Sequence, residues 1–396
     1  MELQRWRAFR RLVQWLSPWT PARALPRGVH ARRWVLRDGD VPGRRGRRVQ
    51  GPPRALSLSR LEALVLEPEG DAIGTYLVAP GLHFDGPLDP RFERFCRILA
   101  HAGFRVVAPI LPAYAELLVH PSAATDFELV ARSMVSELGV SRLTIFSISF
   151  GSWPALHAAA RVPDSVDAVI TFGGYAEFDA AVRFAVDGVM RRPEGNSVLA
   201  RDPLNQPALF LNMLPYLGVP AEHALGLAEA WREMTYQTWG RMELKQPGRL
   251  VPFAEALAAN VPRELEELFL KGTGIVPGGA ELVARALERA GAAFAFASPL
   301  ASLRDIACPM VICHGRDDDV IPWNEAEKLH AAARGHVPAR LLLTGLYGHT
   351  GAARPTLGEL VAEGETLVAI AHALASGGRN VTDRRAARRA RPTPGR

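Results

Sequence analysis

At 396 residues the chain is long enough for one large domain with an insertion or for two domains, and 48% hydrophobic with 22% charged residues is ordinary for a soluble globular protein with a sizeable core. Its net charge of +6 hides an asymmetry: residues 1–54 hold 14 Arg against 3 acids, residues 379–396 hold 7 Arg against 1, and the body between them stands at −11. An acidic body with no basic groove argues against nucleic-acid binding. Three cysteines, Cys96, Cys308 and Cys313, make neither an even disulfide set nor a C-x-x-C pair, which favours a reducing, cytoplasmic setting.

In chain order, residues 1–19 place Leu3, Trp6, Phe9, Val13 and Leu16 near helical spacing among Arg5, Arg7, Arg10 and Arg11. This basic amphipathic helix has two readings. It either meets an anionic membrane surface, with Trp6, Trp15 and Trp19 as interfacial anchors, or docks its apolar stripe on the body. The uncharged run after Arg11 is too short for a signal peptide, and no stretch approaches the roughly 18 apolar residues of a membrane span. Residues 20–54 are rich in Pro, Gly and Arg and predict a flexible arm; residues 378–396 predict a basic disordered tail.

From about residue 55 to 177 strands alternate with helices. Leu61–Leu66, Ile73–Ala79, Arg105–Leu111, the run into Ser149 and Ala168–Phe172 predict strands; Pro90–Ala102, Ala124–Leu138 and a stretch from Trp153 predict helices. Such alternation means βαβ units and a mainly parallel sheet. Residues 178–296 break the rhythm with helical patterns alone, clearest at Pro220–Thr238, Pro252–Leu270 and Gly279–Gly291, and predict a helical insertion. The alternation resumes over residues 297–377, with strands at Pro309–Cys313 and Arg340–Leu343 and helices at Asn324–Ala333 and Leu357–Leu374.

The chemistry concentrates where strands end. Leu143-Thr-Ile-Phe-Ser147-Ile-Ser149-Phe150-Gly151 followed by a helical stretch has the layout of a nucleophile elbow, G-x-S-x-G, with Ser147 in place of the first glycine. An acidic turn, His314-Gly-Arg-Asp317-Asp318-Asp319-Val-Ile-Pro322, follows one later strand. Gly345-Leu-Tyr-Gly348-His349 follows the next. Serine, acid and histidine in that order, each beyond a strand end, suit an activated nucleophile: the hydroxyl needs an imidazole to take its proton, and the imidazole needs a carboxylate to orient it.

On these residues the chain resembles the α/β-hydrolase fold superfamily, over roughly residues 60–175 and 297–375, with a cap inserted after the sixth strand. The resemblance implies an α/β fold with a mainly parallel central sheet and a large helical cap. It also implies Ser149 as nucleophile, His349 as general base and Asp318 as the triad acid, three residues after Gly315 and four before Pro322, with Asp317 and Asp319 as solvated turn residues. Pro80-Gly81-Leu82-His83 is similar to the family's His-Gly loop with Pro for His, which makes the backbone N–H groups of Leu82 and Phe150 the expected oxyanion donors. His83 is either an entrance or oxyanion-loop residue or an exposed loop histidine. His314, His157 and His101 read as structural.

Serine at position 149, rather than Asp or Cys, points to acyl transfer to water, and the apolar cap to a small or medium apolar ester or acyl substrate. Thioesterase, amidase and C–C hydrolase activities use the same triad and stay open. So does a non-catalytic binding protein with a membrane-associating N-terminus, given the departures at Ser147 and Pro80. No His, Cys and carboxylate set has zinc spacing and no glycine-rich loop fits a nucleotide, so no cofactor and no metal are expected. Oligomeric state is not legible.

Overall fold

The computed structural model describes residues 2–17, 19–40, 60–345 and 357–379. Eight strands form one sheet: β1 (Val29–Asp40), β2 (Arg60–Pro68), β3 (Thr75–Ala79), β4 (Arg105–Ile110), β5 (Leu143–Ile148), β6 (Val166–Phe172), β7 (Met310–Gly315) and β8 (Ala339–Thr344). Their order is β1-β2-β4-β3-β5-β6-β7-β8. β2 is antiparallel to both neighbours and every other pairing is parallel. Parallel strands covered on both faces read as unbroken apolar runs; β7, buried at every position, is the clearest case.

The first helices are α1 (Glu2–Leu16), α2 (Pro90–His101), α3 (Ser122–Leu138) and α4 (Ser152–Arg161). Between β6 and β7 the chain leaves the sheet for α5 (Phe178–Asp187), α6 (Gln206–Met213), α7 (Ala221–Thr238), α8 (Val251–Ala258), α9 (Glu266–Thr273) and α10 (Gly279–Ala290), which make up the cap. A short ribbon pairs Val189–Met190 with Ser197–Val198. Then α11 (Asn324–Ala333) follows β7 and α12 (Leu357–Ser376) follows β8.

Side chains alternate across a strand, so the sheet divides the interior in two. Leu77 and Ala79 of β3 join a core with Phe127 of α3 and Leu156 of α4, continuous with the cap through Phe210 and Trp231. Tyr76 and Val78 join a second core with Leu12 of α1, Leu99 of α2 and Leu374 of α12. The α2 start shows how local sequence sets an element: Asp89 accepts from the N–H groups of Arg91 and Phe92, and Pro90 supplies a first helical residue that has no N–H to satisfy.

The cap leaves and rejoins the sheet at one place. The Tyr175 hydroxyl donates to the Ala297 carbonyl (2.9 Å) and the Phe178 N–H donates to Ser298 Oγ (3.1 Å). Buried Glu325 of α11 accepts from the N–H groups of Ala176 and Glu177 at 3.2 and 2.9 Å.

Two expectations need correction. The Arg-rich arm predicted over residues 20–54 contains β1, whose Trp34 and Leu36 are buried at alternate positions while Arg32 and Arg33 face solvent. Pairing with β2 and the Arg33–Glu62 ion pair (3.3 Å) compensate a composition that read as unstructured. The helix predicted over Pro252–Leu270 is two, α8 and α9, separated by Asn260-Val-Pro262; a proline removes an intrahelical hydrogen bond and its ring crowds the preceding turn. The expected tail beyond residue 379 and the arm over 41–59 lie outside the described residues.

Candidate active site

β5 ends at Ile148 and the chain turns sharply into α4. Ser149 sits in the turn at φ +54°, a left-handed conformation that a residue with a Cβ adopts only under constraint. The constraint is crowding. A Cβ at Gly151 would lie 2.5 Å from the Pro80 carbonyl oxygen and 2.8 Å from that of Ala79, so only glycine lets the β5–α4 turn press against the loop after β3. Gly81 of that loop runs against the serine, its Cβ position 3.4 Å from Ser149 Cβ and 4.0 Å from Oγ. The Tyr114 hydroxyl holds the turn from below by donating to the Phe150 carbonyl at 2.7 Å. Ser147 is fully buried in place of the pattern's first glycine.

Ser149 lies in the wall of a cavity of about 290 Å³, together with Leu82 and Phe150, the two expected oxyanion donors. The cap supplies the roof, through Phe178 and Val182 of α5, Ala208 and Met213 of α6, and Trp239. His83 is inside the cavity, its ring stacked against Phe84 (4.5 Å) and Trp239 (5.4 Å), which settles the choice between a site and an exposed-loop position. Its Nδ1 accepts from the Asp85 N–H at 3.1 Å, which assigns the proton to Nε2, 3.6 Å from Asp89. Burial lowers the His83 pKa below its ordinary value, outweighing the opposing charges of Asp89 and Asp85.

Asp318 is buried just beyond β7. Its Oδ1 accepts from the N–H groups of Val320 and Ile321, both at 2.9 Å, and its Oδ2 lies 3.3 Å from His314 Nε2. That nitrogen also lies 3.0 Å from the Ile321 carbonyl oxygen, so both neighbours are acceptors and the proton is assigned to Nε2. His314, read from sequence as merely structural, therefore helps fix the carboxylate. His349 lies outside the described residues.

Asp319 departs from the solvated turn residue expected of it. Lys245, just after α7, bridges Asp319 (2.5 Å) and Asp202 (2.9 Å), and the Asp202 N–H donates to the Asp319 carbonyl at 2.7 Å. Asp202 also lines the cavity. Burial raises the Asp202 pKa against the pull of Lys245, with the Asp319 charge adding to the rise. A second tie between cap and core is Asn212 of α6, whose amide donates to the Leu117 carbonyl (2.8 Å) and accepts from the Val119 N–H (2.7 Å), holding Leu117 at φ +62°. No spacing rule marks these residues, because each acts across roughly a hundred positions of chain or between cap and core.

A left-handed serine after the fifth strand, a buried acid after the seventh, and a sheet in which only β2 runs against the rest form one known arrangement. The fold is that of the α/β-hydrolases. The α/β-hydrolase sheet is complete here, including the antiparallel second strand, and the helical cap enters after β6. No family model and no curated protein sequence matches the chain. Solved structures with likeness to it include an esterase from the hyperthermophilic archaeon Pyrobaculum calidifontis, at 15% identity and TM-score 0.45 over 93% of this chain and 88% of that one. A serine hydrolase from the bacterium Cycloclasticus zankles aligns at 13% identity and TM-score 0.40 over 89% of this chain and 100% of its own. The chain spans only 38% of an acylaminoacyl peptidase it aligns with, at 12% identity and TM-score 0.40 over 82% of this chain. The fold assignment rests on strand order and the elbow.

Proposed function

We propose that this chain is a serine hydrolase that cleaves an ester of a small or medium apolar substrate through an acyl-enzyme. Ser149 attacks the carbonyl carbon while His349 takes its proton; His349 then returns that proton to the departing alkoxide. Water repeats the sequence on the acyl-enzyme and regenerates Ser149. Asp318 orients His349 and stabilises its imidazolium form, and the backbone N–H groups of Leu82 and Phe150 hold the oxyanion. The observation that carries this reading is the left-handed backbone at Ser149, held against the Gly81 loop in the wall of a largely apolar cavity. Strain of this kind persists where surrounding structure over-determines it, commonly at active sites. The cavity lining supports an apolar acyl or alkyl group, and the same triad would serve a thioester or amide.

The test is labelling with a fluorophosphonate, read by intact mass, followed by turnover of matched esters, thioesters and amides. One adduct on the wild type and none on Ser149→Ala is expected, with kcat falling by roughly 10⁴- to 10⁶-fold. A folded wild type that takes no adduct, or a Ser149→Ala variant that keeps its activity, would overturn the assignment.

A further inference from the structure

α1 is held to the body by one side only. Ala8 and Leu12 are fully buried in the core shared with α2 and α12, and Phe9, Trp15 and Leu16 pack beside them. Hydrogen bonds fix the helix, among them those from the Arg5 guanidinium to the Ser376 carbonyl (2.7 Å), from Arg11 to the His101 carbonyl (2.7 Å), and from Arg94 to the Trp15 carbonyl (3.1 Å). The helix is a built part of the molecule, and its orientation is set.

The other side is apolar and basic together. At about 100° per residue, Val13, Trp6, Arg10, Leu3, Gln14 and Arg7 fall within one arc of roughly 120°; Gln14 is its one uncharged polar member and no acidic residue lies in it. Leu3, Trp6 and Val13 are 63%, 56% and 41% exposed, and Trp19 just beyond the helix is 76% exposed. Arg7 and Arg10 are exposed and make no ion pair among the described residues. A helix that only needed to pack on the body would carry polar residues here.

We infer that this outward face of α1 docks on the surface of an anionic lipid bilayer, with the helix lying in the interfacial plane. Leucine and valine enter the acyl boundary, the tryptophan indoles sit at headgroup depth, and Arg7 and Arg10 pair with lipid phosphates. Charge decides the lipid class. The body between the basic ends carries −11 and is repelled by an anionic surface, while the α1 face, with Arg7 and Arg10 and no acid, is attracted. Among the described residues no helix is long and apolar enough to cross a membrane, so the attachment is peripheral. The inference does not depend on the proposed reaction.

The experiment is vesicle flotation of the full chain with phosphatidylcholine alone or with about one-third phosphatidylglycerol, at about 0.05 and 0.5 M salt. Binding to the anionic vesicles at low salt is expected, with far less to phosphatidylcholine. Arg7→Glu with Arg10→Glu is expected to weaken that binding roughly tenfold or more. Leu3→Ala with Trp6→Ala is expected to weaken it at both salts. The arginine variant replaces exposed side chains and is expected to keep the wild-type melting temperature; Trp6 also stacks on Phe9 (5.4 Å), so the Leu3→Ala with Trp6→Ala variant is expected to melt lower while still folding, and both are expected to keep wild-type fluorophosphonate labelling. Absence of binding to anionic vesicles at low salt would overturn the inference. So would binding indifferent to both double variants, which would place the contact elsewhere. Concentration-dependent dimerisation abolished by Trp6→Ala, without vesicle binding, would assign the face to a second copy of the chain instead.

Discussion

Ser149 concentrates the cost and the use of the elbow in one residue. A left-handed conformation costs a residue with a Cβ about 1–2 kcal/mol relative to glycine, and Ser149 bears that at φ +54°. Ser149→Ala keeps the Cβ and the strain, whereas Ser149→Gly loses both. Thermal or urea unfolding is expected to show Ser149→Gly more stable than Ser149→Ala by about 1 kcal/mol, although both lack the proposed nucleophile; equal stability would mean that the turn is not strained. His83, in the same cavity, has a testable consequence for pH. Its pKa in the folded chain lies below the ordinary 6.5, because burial disfavours the charged ring. Above pH 6.5 both folded and unfolded imidazole are neutral and the group is silent. As pH falls below 6.5 the unfolded chain takes up the proton first, and stability drops until the folded pKa is passed. His83→Gln is expected to lose less melting temperature than the wild type between pH 7.5 and 5.5; parallel curves would contradict the burial argument.

Of the ties between cap and core, the Lys245 clip is the most open to test. Lys245 joins Asp202 of the cap segment to Asp319, next to the candidate triad acid. Replacing it with methionine leaves the buried Asp202 carboxylate beside the half-buried Asp319 without their shared cation, a cost below the about 3 kcal/mol of a fully buried broken pair. Lys245→Met is expected to speed proteolysis within the cap and slow fluorophosphonate labelling, and Asp202→Asn with Asp319→Asn in the same variant to restore part of both. Unchanged proteolysis would mean that the cap is held elsewhere. Element types were legible where apolar periodicity is strong, as in β5, β7, α2 and α11, because burial on one or both faces writes itself into local sequence. The strand β1 was masked by arginines on its solvent side, and only pairing with β2 reveals it. The Lys245 clip and the Asn212–Leu117 tie have no local signature at all. The positions of Ser149 and Asp318 just past strand ends were legible because each follows a recognisable strand; the environment of Asp318, including His314, required the fold.

At the scale of the molecule, charge and topology each divide the protein. The acidic body and basic outer segments were plain in the sequence; that α1 is fixed with Trp6 and Arg10 pointing away from its own core was not, because a helical pattern alone does not say which of two apolar stripes finds a partner. The tie of Tyr175 to Ala297 and of Phe178 to Ser298 has a separate consequence. The insertion of well over a hundred residues begins and ends at a closed neck, so the eight-stranded sheet sees it as no longer than a tight loop. No strand of the eight-stranded sheet lies in the insertion, so a change of length there leaves the strand pairings in place as long as it spares Phe210 and Trp231 in the shared core and the ties of Lys245 and Asn212. Substitutions that spare those contacts change what the roof admits while the elbow and the acid turn stay in place, which makes the neck the seam between scaffold and roof.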